Sequence, residues 1–322
     1  MAPYTVVVTD HDFTDLSIER EGLGDIADIV ELTSAVGETV EGAHETLAGA
    51  DAVITLRYDL DADDIAALSE CRVIARYGIG VDNIAVEAAS GRGIPVTNVP
   101  DYCIEEVSTH ALTMCLALAR GLPAYDDSVA AGEWNRETSA PIHRFSTRTV
   151  GVVGYGAIGR AVGERVAALG ADVLASDPFL DDEDVTDDPA TLVAFETLLE
   201  RSDFVTIHSP LTPETREMFD ADAFARMRDD ASLVNVARGP VVDEAALLDA
   251  LDSGALAGAG LDVFPEEPPP VDHPLRDHPD VLTTPHVAWY SEEADEQRRE
   301  TVVDIVRTAL EGSEPYNVVN DR

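Results

Sequence analysis

Short apolar runs rich in β-branched residues alternate with acid-rich amphipathic stretches from Thr5 to about Val99. YTVVVT, ADIVEL, DAVITL, CRVIARYG and IPVTNV read as five strands, and the pieces between them, such as Asp61 to Leu68, as amphipathic helices. Strands separated by helices imply a parallel sheet covered on both faces, so this segment forms a first α/β unit. A long, largely apolar helix follows from Ile104 to Arg120, with Gly121 and Pro123 as its stop. Tyr125 to Arg148, with Trp134, Pro141 and His143, has a weaker pattern and reads as an arm that packs on a partner subunit.

The strongest local signal lies between Thr149 and Asp177. The apolar run TVGVV enters the series Gly154-Tyr155-Gly156-Ala157-Ile158-Gly159, an alanine-rich helical stretch follows, and a second apolar run ends in Asp177. Gly154 suits the positive φ of a tight turn, Gly156 lets backbone amides approach a pyrophosphate, and Gly159 lets the helix pack closely on the strand. The helix N-terminus then faces the phosphates, and Asp177 stands where a carboxylate can bind the ribose hydroxyls. Such a dinucleotide unit extends to about Pro285, with FVTIHSP, ASLVNVAR, GAGLDVF and VLTTPH as its further strands. A long polar helix, Glu292 to Leu310, is expected to return the chain to the first unit. The expected division is therefore 1–101 with 288–322 as a discontinuous substrate domain, and 102–287 as the NAD(P)-binding domain. The fold class is α/β, two Rossmann-like or flavodoxin-like parallel-sheet domains separated by a cleft.

At 322 residues the chain exceeds ordinary single-domain size. Its 63 acids against 21 bases give a formal charge of −42, and every base is arginine. Such a surface repels phosphate backbones and anionic lipid, which excludes nucleic acid and membrane as partners. Molar salt shortens the screening length to about 3 Å and relieves the self-repulsion, so the composition reads as that of an extreme halophile. No apolar run approaches the roughly 20 residues of a membrane span, Leu112 to Ala119 being the longest, and the N-terminus lacks signal-peptide character; the cytoplasm is expected. Cys71, Cys103 and Cys115 form no CxxC pair, and His11, His44, His110, His143, His208, His273 and His278 show no ligand spacing, so no disulfide framework or metal site is read.

Open parallel sheets place ligands at the carboxyl ends of their strands. There stand Arg238 after SLVNVA, Glu267 after LDVFPE and His286 after VLTTP. Singly, each has a plain structural explanation: a surface ion pair, a solvated acid, a hydrogen-bonded turn residue. Together, beside a nicotinamide pocket, they form a constellation for proton and hydride chemistry.

The whole chain resembles the D-isomer-specific 2-hydroxyacid dehydrogenases, most closely the branch that includes the C-terminal binding proteins. The resemblance rests on YGIGVDNI at 77–84, NVPDYCIEEVSTHAL at 98–112, GYGAIGR at 154–160, VNVARGPVVDEAAL at 234–247, LDVFPEEPP at 261–269 and TPHVAWYSEEA at 284–294. It implies that Arg238 grips the substrate carboxylate and polarises its carbonyl with a fixed fork. It implies that His286 moves the proton and that Glu267, rather than the neighbouring Glu266, fixes the imidazole tautomer. Backbone amides from Gly78 through Ile79 and Gly80 to Val81 would hold the carboxylate, Ile79 and Tyr77 would line the pocket, and Trp289 would cover the substrate side chain. Asp262 would bond the nicotinamide carboxamide, with Val236 and Ala237 along the ring and Ser209, Pro210 and Leu211 at adenine and ribose.

The resulting expectation is stereospecific NAD(P)H-dependent reduction of 2-oxo acids to D-2-hydroxy acids by a homodimer. Asp177 favours NAD, with NADP possible. The alternatives are glyoxylate or hydroxypyruvate reduction, and a non-catalytic NAD-sensing binding protein. Phosphoglycerate oxidation is disfavoured by the scarcity of bases and by the chain's end at Arg322, and formate oxidation by Glu267 where a neutral Gln is expected.

Overall fold

Each of the apolar runs becomes a strand, and the strands sort into two all-parallel sheets. The structure, a computed structural model, describes residues 3–33, 42–138 and 141–320. The chain divides into two units, Met1–Tyr102 with Ser291–Arg322, and Cys103–Tyr290.

The first unit runs β1 (Tyr4–Val8), α1 (Ser17–Leu23), β2 (Ala27–Glu31), α2 (Ala43–Leu47), β3 (Ala52–Thr55), α3 (Ala62–Ala67), β4 (Ile74–Arg76), α4 (Val86–Gly91) and β5 (Val96–Thr97). Its sheet order, β2-β1-β3-β4-β5, is that of the flavodoxin-like doubly wound fold. Val6, Val7, Val53, Ile54 and Ile74 are fully buried because both sheet faces are covered. Asp61 caps α3, accepting from the amides of Asp63 and Asp64 at 2.8 Å each.

The second unit continues with α5 (Ile104–Ala119) and α6 (Leu122–Ala130). The second helix takes up the start of the segment expected to be a less regular arm. Gly121, at φ +59°, ends α5 and turns the chain straight into α6, where Pro123 sits in the first turn and its missing N–H leaves no intrahelical bond unmade. Next come β6 (Thr149–Val153), α7 (Ala157–Ala168), β7 (Asp172–Ser176), β8 (Ala190–Leu192), α8 (Phe195–Arg201), β9 (Phe204–Ile207), α9 (Ala221–Arg226), β10 (Ser232–Asn235), α10 (Glu244–Asp252), β11 (Gly258–Leu261) and β12 (Val281–Thr283). The sheet order β12-β11-β10-β9-β6-β7-β8 is the Rossmann arrangement with one strand added. Strand β8 has no counterpart among the apolar runs, because it is a three-residue edge strand specified by its pairing with β7.

Two glycines of β11 let α5 lie against the sheet. A Cβ at Gly258 would touch Leu118, and one at Gly260 would come within 3.2 Å of Met114. Helix α11 (Glu292–Leu310) then belongs to the first unit, where Arg299 bonds Glu19 of α1 through two nitrogens at 2.9 and 2.6 Å. The chain's end pairs with β5, Val319 donating to the carbonyl of Val96 at 2.9 Å.

Candidate active site

Strand β6 lies between β7 and β9, so the strand order reverses at its carboxyl end, where doubly wound sheets bind ligands. Gly154 occupies that point with φ +85°, and a Cβ there would come within 2.6 Å of the Ser209 nitrogen. A Cβ at Gly159 would overlap the Gly154 carbonyl oxygen, so α7 can start directly on the turn. Gly156, by contrast, faces open space. As N-cap of α7 it offers no side-chain bond, and the first turn, Ala157 and Ile158 included, carries no acid in a chain full of them. The amide end of the helix dipole is therefore left for an anion such as pyrophosphate.

Asp177 follows β7 and accepts from the amides of Tyr155 at 2.9 Å and Phe179 at 3.0 Å, which holds its carboxylate beside the glycine turn. The Tyr155 side chain is fully buried beside Gly163, under the Arg160 guanidinium, and burial pushes its phenol up to about 12. What Tyr155 offers a ligand is thus backbone. Ser209 is buried and Pro210 exposed just beyond β9. His208 keeps some surface, yet burial of its ring pushes its pKa down to about 3; its Nε2 lies 2.9 Å from Thr206 Oγ1.

Strands β10, β11 and β12 are parallel neighbours in the register Asn235↔Leu261 and Leu261↔Thr283. Arg238, Phe264 and His286 each stand three residues past those partners, so all three segments leave the sheet at one end. A Cβ at Gly239 would overlap the backbone of Phe264 and Pro265, so glycine lets the segment after Arg238 press against the one leading to Glu267. Glu267 Oε1 accepts from the Phe264 amide at 3.1 Å, and Oε2 lies 2.6 Å from His286 Nδ1. The pair stays partly open, with side chains 27% and 24% exposed. Glu266 is exposed beside it.

Arg238 is held from its backbone. Asn235 donates to the Arg238 carbonyl at 2.9 Å and accepts from the Ala237 amide at 3.1 Å, which shapes Val236 to Arg238; Arg238 Nη1 donates to the Ala237 carbonyl at 2.8 Å. His286 itself sits at φ +54°, rare for a residue with a Cβ. Its amide donates to the Asp262 carbonyl at 2.8 Å and its carbonyl accepts from Trp289 Nε1 at 2.9 Å. The Asp262 carboxylate is buried and engaged within the protein, by Thr284 Oγ1 at 2.5 Å and by the amides of Val287 and Ala288 at 2.9 Å each.

In the first unit the carbonyls of Gly78 and Ile79 are taken by the Val99 amide at 3.1 Å and the Asn98 side chain at 2.7 Å, which fixes the turn through Gly80. Tyr77 departs from its expected pocket role: it is fully buried and donates to Glu19 at 2.9 Å, so its ring faces the unit's interior. The fold also gathers donors that sequence spacing did not. Single ligand atoms of His44, Asp61 and Asp64 lie within 4.8 Å of one another, with His44 Nε2 3.2 Å from Asp64 Oδ1.

Among the described residues no helix is long and apolar enough to cross a membrane. Residues 112–288 match the family described as D-isomer specific 2-hydroxyacid dehydrogenase, NAD binding domain. A glycerate dehydrogenase of Methylorubrum extorquens is 38% identical over 87% of this chain and 89% of its own length. A D-3-phosphoglycerate dehydrogenase of Mycobacterium bovis is 40% identical over 81% of the chain, which spans 49% of that longer relative. Among solved structures, a glyoxylate reductase from Paecilomyes thermophila superposes with a TM-score of 0.89 at 27% identity, over 99% of both chains. A D-lactate dehydrogenase from Aquifex aeolicus, complexed with NAD and lactic acid, gives 0.87 at 28% identity, over 95% of this chain and 96% of its own. The chain belongs to the D-isomer specific 2-hydroxyacid dehydrogenase family and is an NAD-dependent oxidoreductase.

Proposed function

We propose that this enzyme reduces 2-oxo acids to D-2-hydroxy acids, reversibly, with His286 as proton donor, Glu267 as its orienting carboxylate and Arg238 as substrate anchor. The observation that carries the reading is the 2.6 Å contact of His286 Nδ1 with Glu267, at the strand end shared with Arg238. With Nδ1 donating to Glu267, Nε2 is the ring nitrogen left to exchange a proton with the substrate oxygen. Arg238 grips the carboxylate in bidentate fashion and draws charge from the carbonyl. Nicotinamide, when bound, supplies the hydride or takes it back. Its phosphates are assigned to the turn at Gly154 to Gly159 and its ribose to Asp177.

Asp177 disfavours a 2′-phosphate, and Arg160 of α7 is already paired with Asp188. NADH is therefore the expected donor, and faster turnover with NADPH would overturn that preference. The Gly78–Gly80 backbone is assigned the substrate carboxylate and Trp289 the substrate side chain, which favours medium apolar 2-oxo acids. Glyoxylate or hydroxypyruvate reduction is the second reading, supported by the names of the glycerate dehydrogenase and glyoxylate reductase relatives.

Two further assignments go with this one. Helix α6 and the arm beyond it expose Leu122 (56%), Val129 (52%) and Trp134 (92%), apolar surface suited to a second copy in a homodimer. The lysine-free acidic surface fits a cytoplasm rich in salt. The deciding measurement is NADH oxidation against a panel of 2-oxo acids in concentrated KCl. No turnover on any of them would refute the assignment, and an activity optimum in dilute buffer would refute salt adaptation.

A further inference from the structure

We propose that His110, acting through Thr284 and Asp262, is a positioning residue for the loop that carries His286. The inference rests on the proposed role of His286. It starts from how α5 meets β11. Gly258, Gly260 and Asp262 point to one face of that strand at the two-residue strand period, and His110, Met114 and Leu118 recur every four residues along one face of α5. Leu118 lies over Gly258 and Met114 over Gly260, so the next step of the same pairing brings His110 to Asp262. His110 Nε2 is 3.9 Å from the Asp262 carboxylate and 3.0 Å from Thr284 Oγ1.

The bonds order themselves. Asp262 is an acceptor, so the Thr284 hydroxyl donates to it at 2.5 Å; that hydroxyl then accepts the proton on His110 Nε2. Polarised along one direction, His110 to Thr284 to Asp262, the chain ties the helix to a carboxylate that also takes the Val287 and Ala288 amides. Those two amides bracket the far side of His286, while the Thr284 and Asp262 carbonyls accept from the His286 amide on the near side, at 3.1 and 2.8 Å. The left-handed backbone at His286 is thus clamped on both sides by Asp262. His110 reaches the reaction through this clamp and contributes no proton to it.

The chain has two tryptophans, so Trp134→Phe leaves Trp289, bonded to the His286 carbonyl, as a fluorescent reporter of the loop. In that background His110→Ala and Thr284→Val are expected to lower kcat roughly tenfold or more, the scale of a lost charge-assisted bond. Trp289 quenching by acrylamide should rise, with the KM for NADH and Tm little changed. Thr284→Ser and His110→Gln, which keep a donor in place, should restore both signals. Wild-type kcat and Trp289 quenching in His110→Ala and Thr284→Val would overturn the proposal, as would equal losses in Thr284→Ser and Thr284→Val. His286→Ala separates the two readings: if it stays active, the proton role fails, while the Trp289 signal still judges the clamp.

Discussion

Glu19 and Glu267 each hold a nitrogen partner at 2.6 Å, and the two units use them differently. Glu19 is sealed: its oxygens take both Arg299 nitrogens and the Tyr77 hydroxyl, and its side chain has no exposure. Arg299 also stacks 4.2 Å from the Phe13 ring centre. Glu267 and His286 stay about a quarter exposed, and the imidazole keeps a ring nitrogen that Glu267 does not hold. A charge pair closed on all sides is scaffold, whereas one left open at a strand end can exchange a proton. Burial together with hydrogen-bond saturation, more than the presence of charge, separates the two.

The largest effect comes from breaking the open pair. His286→Ala should lower kcat by about 100- to 10,000-fold, the range for a general acid, with NADH affinity by fluorescence titration unchanged. Near-full turnover would break the comparison outright. Breaking the sealed pair should appear in stability instead. Glu19→Ala leaves Arg299 buried beside a lost partner and should destabilise by about 3–5 kcal/mol in denaturant titrations run in concentrated KCl. Glu267→Gln, more exposed, should move stability by less than about 1 kcal/mol while lowering kcat. Equal losses of stability in the two variants would show that exposure does not divide their roles.

Arg238→Lys sharpens the contrast further. Losing the planar fork should reduce kcat/KM for a 2-oxo acid by about one to two orders of magnitude and leave stability nearly unchanged. The remaining effect is one of pH and concerns His208. Its folded pKa lies near 3 against an ordinary 6.5, so the unfolded chain takes up a proton that the folded one refuses. Above about pH 6.5 it contributes no pH dependence, and stability falls as the pH drops from 6.5 towards 3. Some surface at His208 softens the slope, and His208→Asn should flatten that part of the profile.

Much of this was legible in the residues. The strand runs of both sheets are visible in their apolar pattern, and the tails of those runs, VAR after SLVN and TPH after VLT, fall beyond the strands as turns at their carboxyl ends. Strand β8 and helix α6 were not legible. The one is three residues whose partner is β7, and the other begins at the very glycine and proline that end α5. His110 had no signal as a single histidine. Its signal is the four-residue spacing HxxxMxxxL set against GxGxD, which carries meaning only once α5 is known to lie on β11.

Local periodicity and backbone freedom determined, from sequence alone, two parallel α/β units, a glycine turn shaped for phosphate and the order of Arg238, Glu267 and His286 at strand ends. Those features depend on neighbours within a few residues, where alternation, helix spacing and a missing Cβ act directly. Tertiary structure alone decided which way Tyr77 and Tyr155 face, what occupies the Asp262 carboxylate, and that His110 reaches Thr284. Each of these turns on segments far apart in the chain, brought to hydrogen-bonding distance by sheet register and helix docking, and no short pattern encodes such a distance.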